Sequence, residues 1–391
     1  MPKGPVLGWD SFKGKASASL ALANPLPSVE HLAHSAYTTS GRAAIFQALI
    51  QLNLPAGSEV LLPTYHCPTM VAPVLLAGHR PSYFGICANG LPNLQGITPE
   101  QIQAARAMLV PHYFGLPQSL AHVRHWCDQH HIALIEDCAH SLFGVAGERN
   151  VGSWGDFATA SLSKFLPVPE AGLLASASRP LQPMAMTTQG AVAQVKGVID
   201  ILELAAHHQR LAGLNSLGSA MLRIKKLLRP VGPKQTTSAH GKSDCQDFMA
   251  ACDMGRIKAR PLRVSTWLSQ ILPRQQIITR RRENFELYAN LLGELKGAQP
   301  LMTHIGALAN SCAAPYVYPL WVDDAERVYH GLRLGGYPVF RWDRIWPGTP
   351  TLTGDVGPLW SHHVLQLLCH QDLCAEDISK TAAEVQRLLA L

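Results

Sequence analysis

The sequence predicts an α/β protein: a large unit on a mostly parallel sheet, followed by a small α+β C-terminal unit. Three observations predict it. From about residue 36 to 176, apolar runs of strand length alternate with segments of helical periodicity, as when strands are joined by crossover helices. From about 180 to 295 the periodicity is mainly helical. From 315 to 391 short strand and helix patterns return. At 391 residues the chain can bury a large core, and 47% hydrophobic against 15% charged residues is the balance of an ordered globular protein. The expected division is 1–250 for the large unit, with a helical and loop insertion at about 180–250. Residues 251–391 then form a linking helix and the small unit.

Each element has its own signal. Gly41 to Asn53 reads as a helix, because Ala44, Ile45, Ala48, Leu49 and Leu52 recur at helical spacing behind a Thr-Ser-Gly start. Pro55-Ala-Gly57 stops it, and Val60 to Leu62 is a short buried strand closed by Pro63. Met70 to Leu76 is helical until Gly78. Met108 to Val110 and Ile132 to Ile135 are strands with a helix around Leu120 to His131 between them, and Phe157 to Leu162 and Gly172 to Ala175 complete the series. Helices are expected at Val195 to Ala206 and Met221 to Leu228, then a mobile polar loop from Gly232 to Asp247. A long helical pattern from Pro261 to about Leu295 is interrupted near Pro273. The last unit has strand Val317 to Val322, a helix from Ala325, strand Pro338 to Arg341 and a helix from Glu376 to Leu389.

Composition narrows the function classes. No run approaches the eighteen or so apolar residues of a membrane helix, and Met1 to Lys15 has no apolar core of a secretory signal. Nine scattered cysteines without a Cys-x-x-Cys pair point to reduced thiols and a cytoplasmic protein. The net charge of +6 is modest, and the densest basic runs, Arg223 to Lys226 and Arg280 to Arg282, lack interleaved aromatic residues. Both are read as solvated helix faces, and no nucleic-acid role is expected. The paired histidines (His130-His131, His207-His208, His362-His363) sit in no set of metal-ligand spacing, so no metal is expected. His34, Cys245 and Asp247 have no evident partner. Trp342 and Trp346 are read as core or subunit-interface residues, with a pocket wall as the alternative.

Three features carry chemistry. Lys164 is the one lysine between Lys15 and Lys196, just after an expected strand in Ser161-Leu-Ser-Lys164. An amine in apolar surroundings has a lowered pKa and attacks aldehydes. Asp137 closes the apolar Ile132 to Ile135 strand, and ligands of open α/β sheets bind beyond such strand ends. A carboxylate there can hold a pyridinium nitrogen protonated, and His140 can reach the same ligand. Thr39-Ser40-Gly41 opens the first helix, where free N–H groups bind phosphate and glycine permits close approach; the hydroxyls of Ser161 and Ser163 can join them. Taken singly, each has an ordinary alternative: a surface lysine, an N-capping aspartate, a Ser-Gly cap. Together they follow the order of a pyridoxal-phosphate (PLP) enzyme of fold type I.

From about Tyr37 to Ala175 the chain resembles the DegT/DnrJ/EryC1/StrS aminotransferases. The matching segments are Ser40-Gly-Arg-Ala-Ala44, Gly57-Ser-Glu-Val-Leu-Leu-Pro63, Leu75-Leu-Ala-Gly78 with Pro81, His112-Tyr-Phe-Gly115, Ile135-Glu-Asp-Cys-Ala-His140 and Val151-Gly-Ser-Trp-Gly-Asp156. Weaker echoes follow in Arg263-Val-Ser265, the Arg280 to Tyr288 helix and Val364 to Ile378 with His370. The resemblance implies a PLP-dependent transferase of fold type I that moves an amino group from an amino acid to a keto-sugar or related keto compound. It implies polysaccharide or secondary-metabolite biosynthesis and a homodimer. By position, Ser40, Gly41 and Arg42 correspond to the phosphate-binding turn, Asp137 to the pyridinium partner and His140 to the residue beside the ring oxygen. Ser161 corresponds to a phosphate-binding serine and Lys164 to the Schiff-base lysine.

Departures mark a divergent branch. Cys67, beside Tyr65 and His66, stands where the family usually places an aromatic residue over the cofactor ring. The Ser-to-Lys spacing is shorter, and Phe165 to Gly172 replaces a Gly-rich segment. Pro261-Leu262 replaces an asparagine given to the partner subunit, and the 180–250 segment is longer. Two alternatives stay open: another PLP reaction on an amino acid, or a non-catalytic binding protein. Lys164 argues against the latter, and Cys67 mildly for it.

Overall fold

A computed structural model describes residues 1–13, 26–213, 245–293, 295–301 and 312–391. The expected helix 221–228, the basic run 223–226 and most of the expected loop 232–247 lie outside the described residues.

Strands β1 (His34–Thr38), β2 (Glu59–Pro63), β3 (Arg80–Phe84), β4 (Ala105–Pro111) and β5 (Ala133–Asp137) alternate with helices α1 (Gly41–Leu52), α2 (Pro68–Leu76), α3 (Pro99–Ala104) and α4 (Ala121–Gln129). A small hairpin, β6 (Val145–Ala146) and β7 (Arg149–Asn150), precedes β8 (Phe157–Ser161) and β9 (Gly172–Ser176). Seven strands form one sheet in the order β1-β9-β8-β5-β4-β2-β3. The β3-β2-β4-β5-β8 run is parallel, and β9 pairs antiparallel with both β8 and β1.

Side chains two apart along a strand share a face. Val60 and Leu62, Ala107 and Leu109, and Ile135 therefore join one core with Ala44, Ala48 and Leu49 of α1. Leu61, Met108, Val110 and Leu134 join the opposite core with Val123 of α4 and the C-terminal strands. Burying residues such as Leu49 or Ile45 contributes about 1.5–3 kcal/mol each, and covering both faces explains why these strands read as unbroken apolar runs.

The rest of the chain continues with α5 (Ala191–His207), α6 (Cys245–Ala251), α7 (Arg263–Ile271) and α8 (Arg274–Leu292). Pro273 caps α8, as the interrupted pattern implied. A second sheet, antiparallel in the order β10-β11-β13-β12, comprises β10 (Ala298–Pro300), β11 (Val317–Val322), β12 (Val339–Arg341) and β13 (Val364–Leu368). Helices α9 (Ala325–Leu334), α10 (Gly357–His363) and α11 (Ala375–Leu389) accompany it. Among the described residues no helix is long and apolar enough to cross a membrane.

Two expectations are corrected. The polar stretch read as a loop up to Asp247 is helical from Cys245, because α6 lays Phe248 and Met249 against the α1–α2 core, with Phe248 5.7 Å from the Trp346 ring. Arg280 to Arg282 is not a solvated face: Arg281 is fully buried and Arg282 nearly so. Arg281 gains enough partners to be desolvated. Its Nη2 donates to the Lys164 carbonyl (2.6 Å), Nη1 to the Pro315 carbonyl (3.1 Å) and Nε to Gln371 (2.9 Å), and its guanidinium lies 4.5 Å from the Phe165 ring centre.

Candidate active site

The C-terminal ends of the parallel strands and the start of α1 converge on one cavity of about 240 Å³. Ser40, Gly41 and Arg42 enter it from the N-terminus of α1, and Cys67 from the N-cap of α2. Asp137 and His140 enter from the end of β5, and Ser161 and Lys164 from the end of β8 and the turn after it. All eight residues singled out in the sequence line this one space, although they span more than a hundred positions of chain.

Local geometry places them. Ser40 caps α1 by accepting from the Ala43 N–H at 3.3 Å. The N–H groups of Gly41 and Arg42 donate to no described residue, as expected of a first helical turn. Arg42 is held at the rim by Asp253, through a 3.0 Å ion pair and a 3.2 Å bond to the Asp253 carbonyl. Gly172 on β9 passes so close that a Cβ there would lie 2.2 Å from the Ser40 carbonyl carbon. Ser161 and Ser163 line the cavity, and neither hydroxyl is hydrogen-bonded to another described residue.

Strand alternation sends the two acids of β5 to opposite faces. Asp137 turns to the cavity, where its Oδ1 accepts from the Ala139 N–H (2.9 Å) and weakly from Thr159 (3.4 Å). Glu136 turns away and is fully occupied: Oε1 accepts from His112 Nε2 (2.8 Å) and Gly152 N–H (2.6 Å), Oε2 from Trp154 (2.8 Å) and Gly155 (3.1 Å) N–H. His112 Nδ1 accepts from Gln118 N–H at 3.3 Å, so Nε2 carries the proton. His112, Glu136 and Cys138 do bring ligand atoms within 4.8 Å of one another, a trio the sequence spacing hid. The carboxylate's four donors make this a structural knot that ties residues 152–155 beneath β5.

Burial sets the charges. The Lys164 amine, 5.2 Å from the Tyr316 ring centre, has its pKa lowered by desolvation, which the Asp137 charge partly offsets. Desolvation raises the Asp137 pKa, opposed by the Ala139 N–H and by Lys164. Burial, and then the Lys164 charge, hold His140 well below its ordinary pKa, so it is a neutral imidazole at pH 7. Burial thus pushes both the Lys164 amine and the Asp137 carboxyl toward their neutral forms, the kind of perturbation that clusters at functional sites.

The Lys164 loop is fastened through its carbonyls. Arg281 donates to Lys164 O and Gln371 Nε2 to Phe165 O (2.8 Å). Glu170 accepts from Gln189 (2.6 Å), Leu262 N–H (2.8 Å) and Arg256. A second cavity of about 200 Å³ shares Cys67 and Thr69 with the first and adds Phe248, Cys252, Asp247 and Arg344.

Trp342 lines the main cavity, a correction to its reading as core or interface; the pocket wall holds because the segment after β12 folds back over His140. Trp346 is buried, as expected of core. Sequence reasoning missed Tyr316, Thr69 and the anchoring role of Arg281. Tyr316 and Arg281 depend on long-range contacts with no local pattern, whereas Thr69, two residues after Cys67, was within reach.

The seven-stranded, mostly parallel sheet and the smaller antiparallel sheet together define an α/β architecture of fold type I. Residues 21–198 match the model of the DegT/DnrJ/EryC1/StrS aminotransferase family, the family its motifs resemble. The chain is 25% identical over 229 residues to GDP-perosamine synthase of Vibrio cholerae, covering 57% of this chain and 61% of that protein. It is 28% identical over 168 residues to L-glutamine:2-deoxy-scyllo-inosose aminotransferase of Streptomyces kanamyceticus, covering 41% and 38% respectively. These matches thus span less than two thirds of either relative. The fold is similar to that of the aminotransferase TlmJ from Streptoalloteichus hindustanus (TM-score 0.59, 18% identity, 91% of this chain and 86% of that one). It is also similar to that of NtdA from Bacillus subtilis, solved with its cofactor PMP bound (TM-score 0.57, 17% identity, 92% and 74%).

Proposed function

We propose that this chain is a PLP-dependent aminotransferase that moves an amino group from an amino acid to a keto-sugar or related keto compound. The observation that carries the reading is the meeting of the Lys164 amine, the Asp137 carboxylate and the Ser40-Gly41 helix start around one cavity. The donor set fits the cofactor. Two free N–H groups, two uncommitted hydroxyls and an arginine suit a phosphate dianion, and the buried acid suits a pyridinium nitrogen.

In this reading Gly41, Arg42, Ser161 and Ser163 hold the phosphate, and Ser40 sets the helix start that presents those donors. Asp137 holds the proton on the ring nitrogen, and neutral His140 hydrogen-bonds beside the ring. Bound there, PLP supplies an aldehyde for Lys164 and an electron sink for the donor's α-carbon. The Lys164 amine serves as general base for the proton on the donor's α-carbon and, as the resulting ammonium, as general acid in the 1,3-proton shift, a role its lowered pKa favours. Ala139 N–H and Thr159 fix the Asp137 carboxylate during this transfer. The amino acid leaves as its 2-oxo acid, and the acceptor's C=O becomes C–NH2.

The names of the relatives support an acceptor from sugar or cyclitol chemistry, in polysaccharide or secondary-metabolite assembly. The second cavity, beside Cys67, offers room for the rest of the acceptor. We place the enzyme in the cytoplasm as a homodimer, with a large unit at 1–250 and a linking helix and small unit at 251–391.

The test is spectroscopic and chemical. Purified protein given PLP should develop a visible band, and borohydride should fix the cofactor to the peptide containing Lys164. Lys164→Ala should do neither. With glutamate and no acceptor, the loaded enzyme should release about one equivalent of 2-oxo acid per site. A protein that takes up no PLP overturns the proposal.

A further inference from the structure

The main cavity holds polar and charged groups suited to a phosphate and a ring nitrogen, yet Cys67, at the N-cap of α2, offers only a thiol toward the ring, with its Sγ 3.1 Å from the Thr69 hydroxyl. Apart from the His112 and His140 imidazoles, one aromatic side chain lines the cavity among the described residues, and it comes from the far end of the chain. Trp342 follows β12 in the C-terminal sheet. Its ring is backed by the fully buried Tyr65 (centroids 5.3 Å apart, 41° between planes) and meets His140 at 5.0 Å and 48°. Tyr113 closes the cluster at 6.3 Å, near edge-on.

The segment carrying Trp342 is tied at both ends. Arg341 Nη2 donates to the His362 carbonyl (2.8 Å), and the Trp346 N–H donates to Nε2 of the buried His66 (3.0 Å). His66 and Cys67 are adjacent, so the same turn that leaves the cavity without an aromatic at 67 anchors the loop that brings one in. Tyr65, the residue before His66, is locked by Gln366 of β13 donating to its hydroxyl (3.2 Å). A large ring held between fixed rings loses little entropy when a flat ligand stacks on it.

We propose that Trp342 is the aromatic residue that packs on the pyridine ring of the cofactor, so that the C-terminal sheet completes the cofactor site. This rests on the reading of the cavity as a PLP site. It makes Trp342 a binding residue and the His66–Trp346 bond its positioning contact.

The experiment is a PLP titration of the full-length apo protein and of Trp342→Phe, Trp342→Leu and Trp342→Ala, following the visible band and tryptophan emission. Wild type should lose emission on PLP binding, and Trp342→Phe should lose a smaller share. Trp342→Phe keeps a ring and should bind within about threefold of wild type. Trp342→Leu fills much of the volume without a ring, and it and Trp342→Ala should bind at least about tenfold more weakly, a ratio equivalent to about 1.4 kcal/mol. Should the alanine variant fail to fold, the leucine variant carries the comparison. Trp342→Leu binding within twofold of wild type overturns the inference. So does Trp342→Phe binding as weakly as Trp342→Leu, because the loss would then come from disturbed packing. If wild type itself takes up no PLP, the functional reading falls first; if wild type binds and the variants bind equally well, this inference falls alone.

Discussion

Replacing Glu136 by glutamine tests the knot that ties His112 and residues 152–155 to β5. Both carboxylate oxygens are buried, and each accepts two hydrogen bonds, one from His112 and three from the backbone of residues 152–155. An amide has one accepting oxygen, and its NH2 would face two N–H donors whichever way it turned. A flip of the His112 tautomer does not rescue it, since Nδ1 already accepts from Gln118. Two buried donors are thus left without acceptors, at about 1–3 kcal/mol each, or about 2–6 kcal/mol in all. Against the 5–15 kcal/mol typical of a folded domain, that is a large fraction. Urea unfolding followed by circular dichroism should show a clearly lower midpoint at unchanged slope. Glu148→Gln, at an exposed position, should stay within about 0.5 kcal/mol. A Glu136→Gln midpoint equal to wild type would refute the assignment of the network as a stabilising tie.

Three further outcomes are expected. Asp137→Asn removes a charge-assisted bond of about 1.5–3 kcal/mol, so PLP affinity should fall roughly 10- to 150-fold in an absorbance titration, and unchanged affinity would remove Asp137 from the site. Gly172→Ala drives a Cβ into the Ser40 carbonyl and should weaken PLP binding at least about tenfold by displacing the helix start; wild-type binding would show that the turn yields freely. Burial lowers the pKa of His66 to about 4 and of His370 to about 3, and holds His140 well down. Their stabilising contribution is complete above the unfolded value of about 6.5 and is lost as the pH falls toward those folded values, because only the unfolded chain takes up the protons. Each uncharged histidine adds up to about 1.4 kcal/mol per pH unit, so unfolding midpoints that do not change between pH 7 and 5 would contradict this.

What was legible in the sequence was whatever depended on near neighbours. The α1 helix was visible from its spacing and cap, and Asp137 and Lys164 from their places at strand ends. Strand β1 was not: His34-Ser-Ala-Tyr-Thr38 is a short, half-exposed edge whose one partner among the described residues is β9, more than 130 residues on. Strand β13 was seen only as a family echo, because five residues, apolar but for Gln366 and set beside helical residues, have no decisive period. Arg281 misled for the same reason. Its charge signals a surface, and only contacts with Lys164, Pro315 and Gln371 explain why it is buried.

Those distant contacts also account for the unusual lysine loop. Leu162 to Gly172 contains two prolines and no internal glycine, so it cannot adapt to the cofactor by backbone freedom alone. Its shape is instead fixed from outside: Arg281 and Gln371 hold the Lys164 and Phe165 carbonyls, and Glu170 is held by Arg256, Gln189 and the Leu262 N–H. Every one of these partners lies beyond residue 188. Trp342 reaches the same cavity from the same part of the chain. The first 180 residues carry Lys164 and Asp137, and residues from 189 onward hold the lysine loop in place.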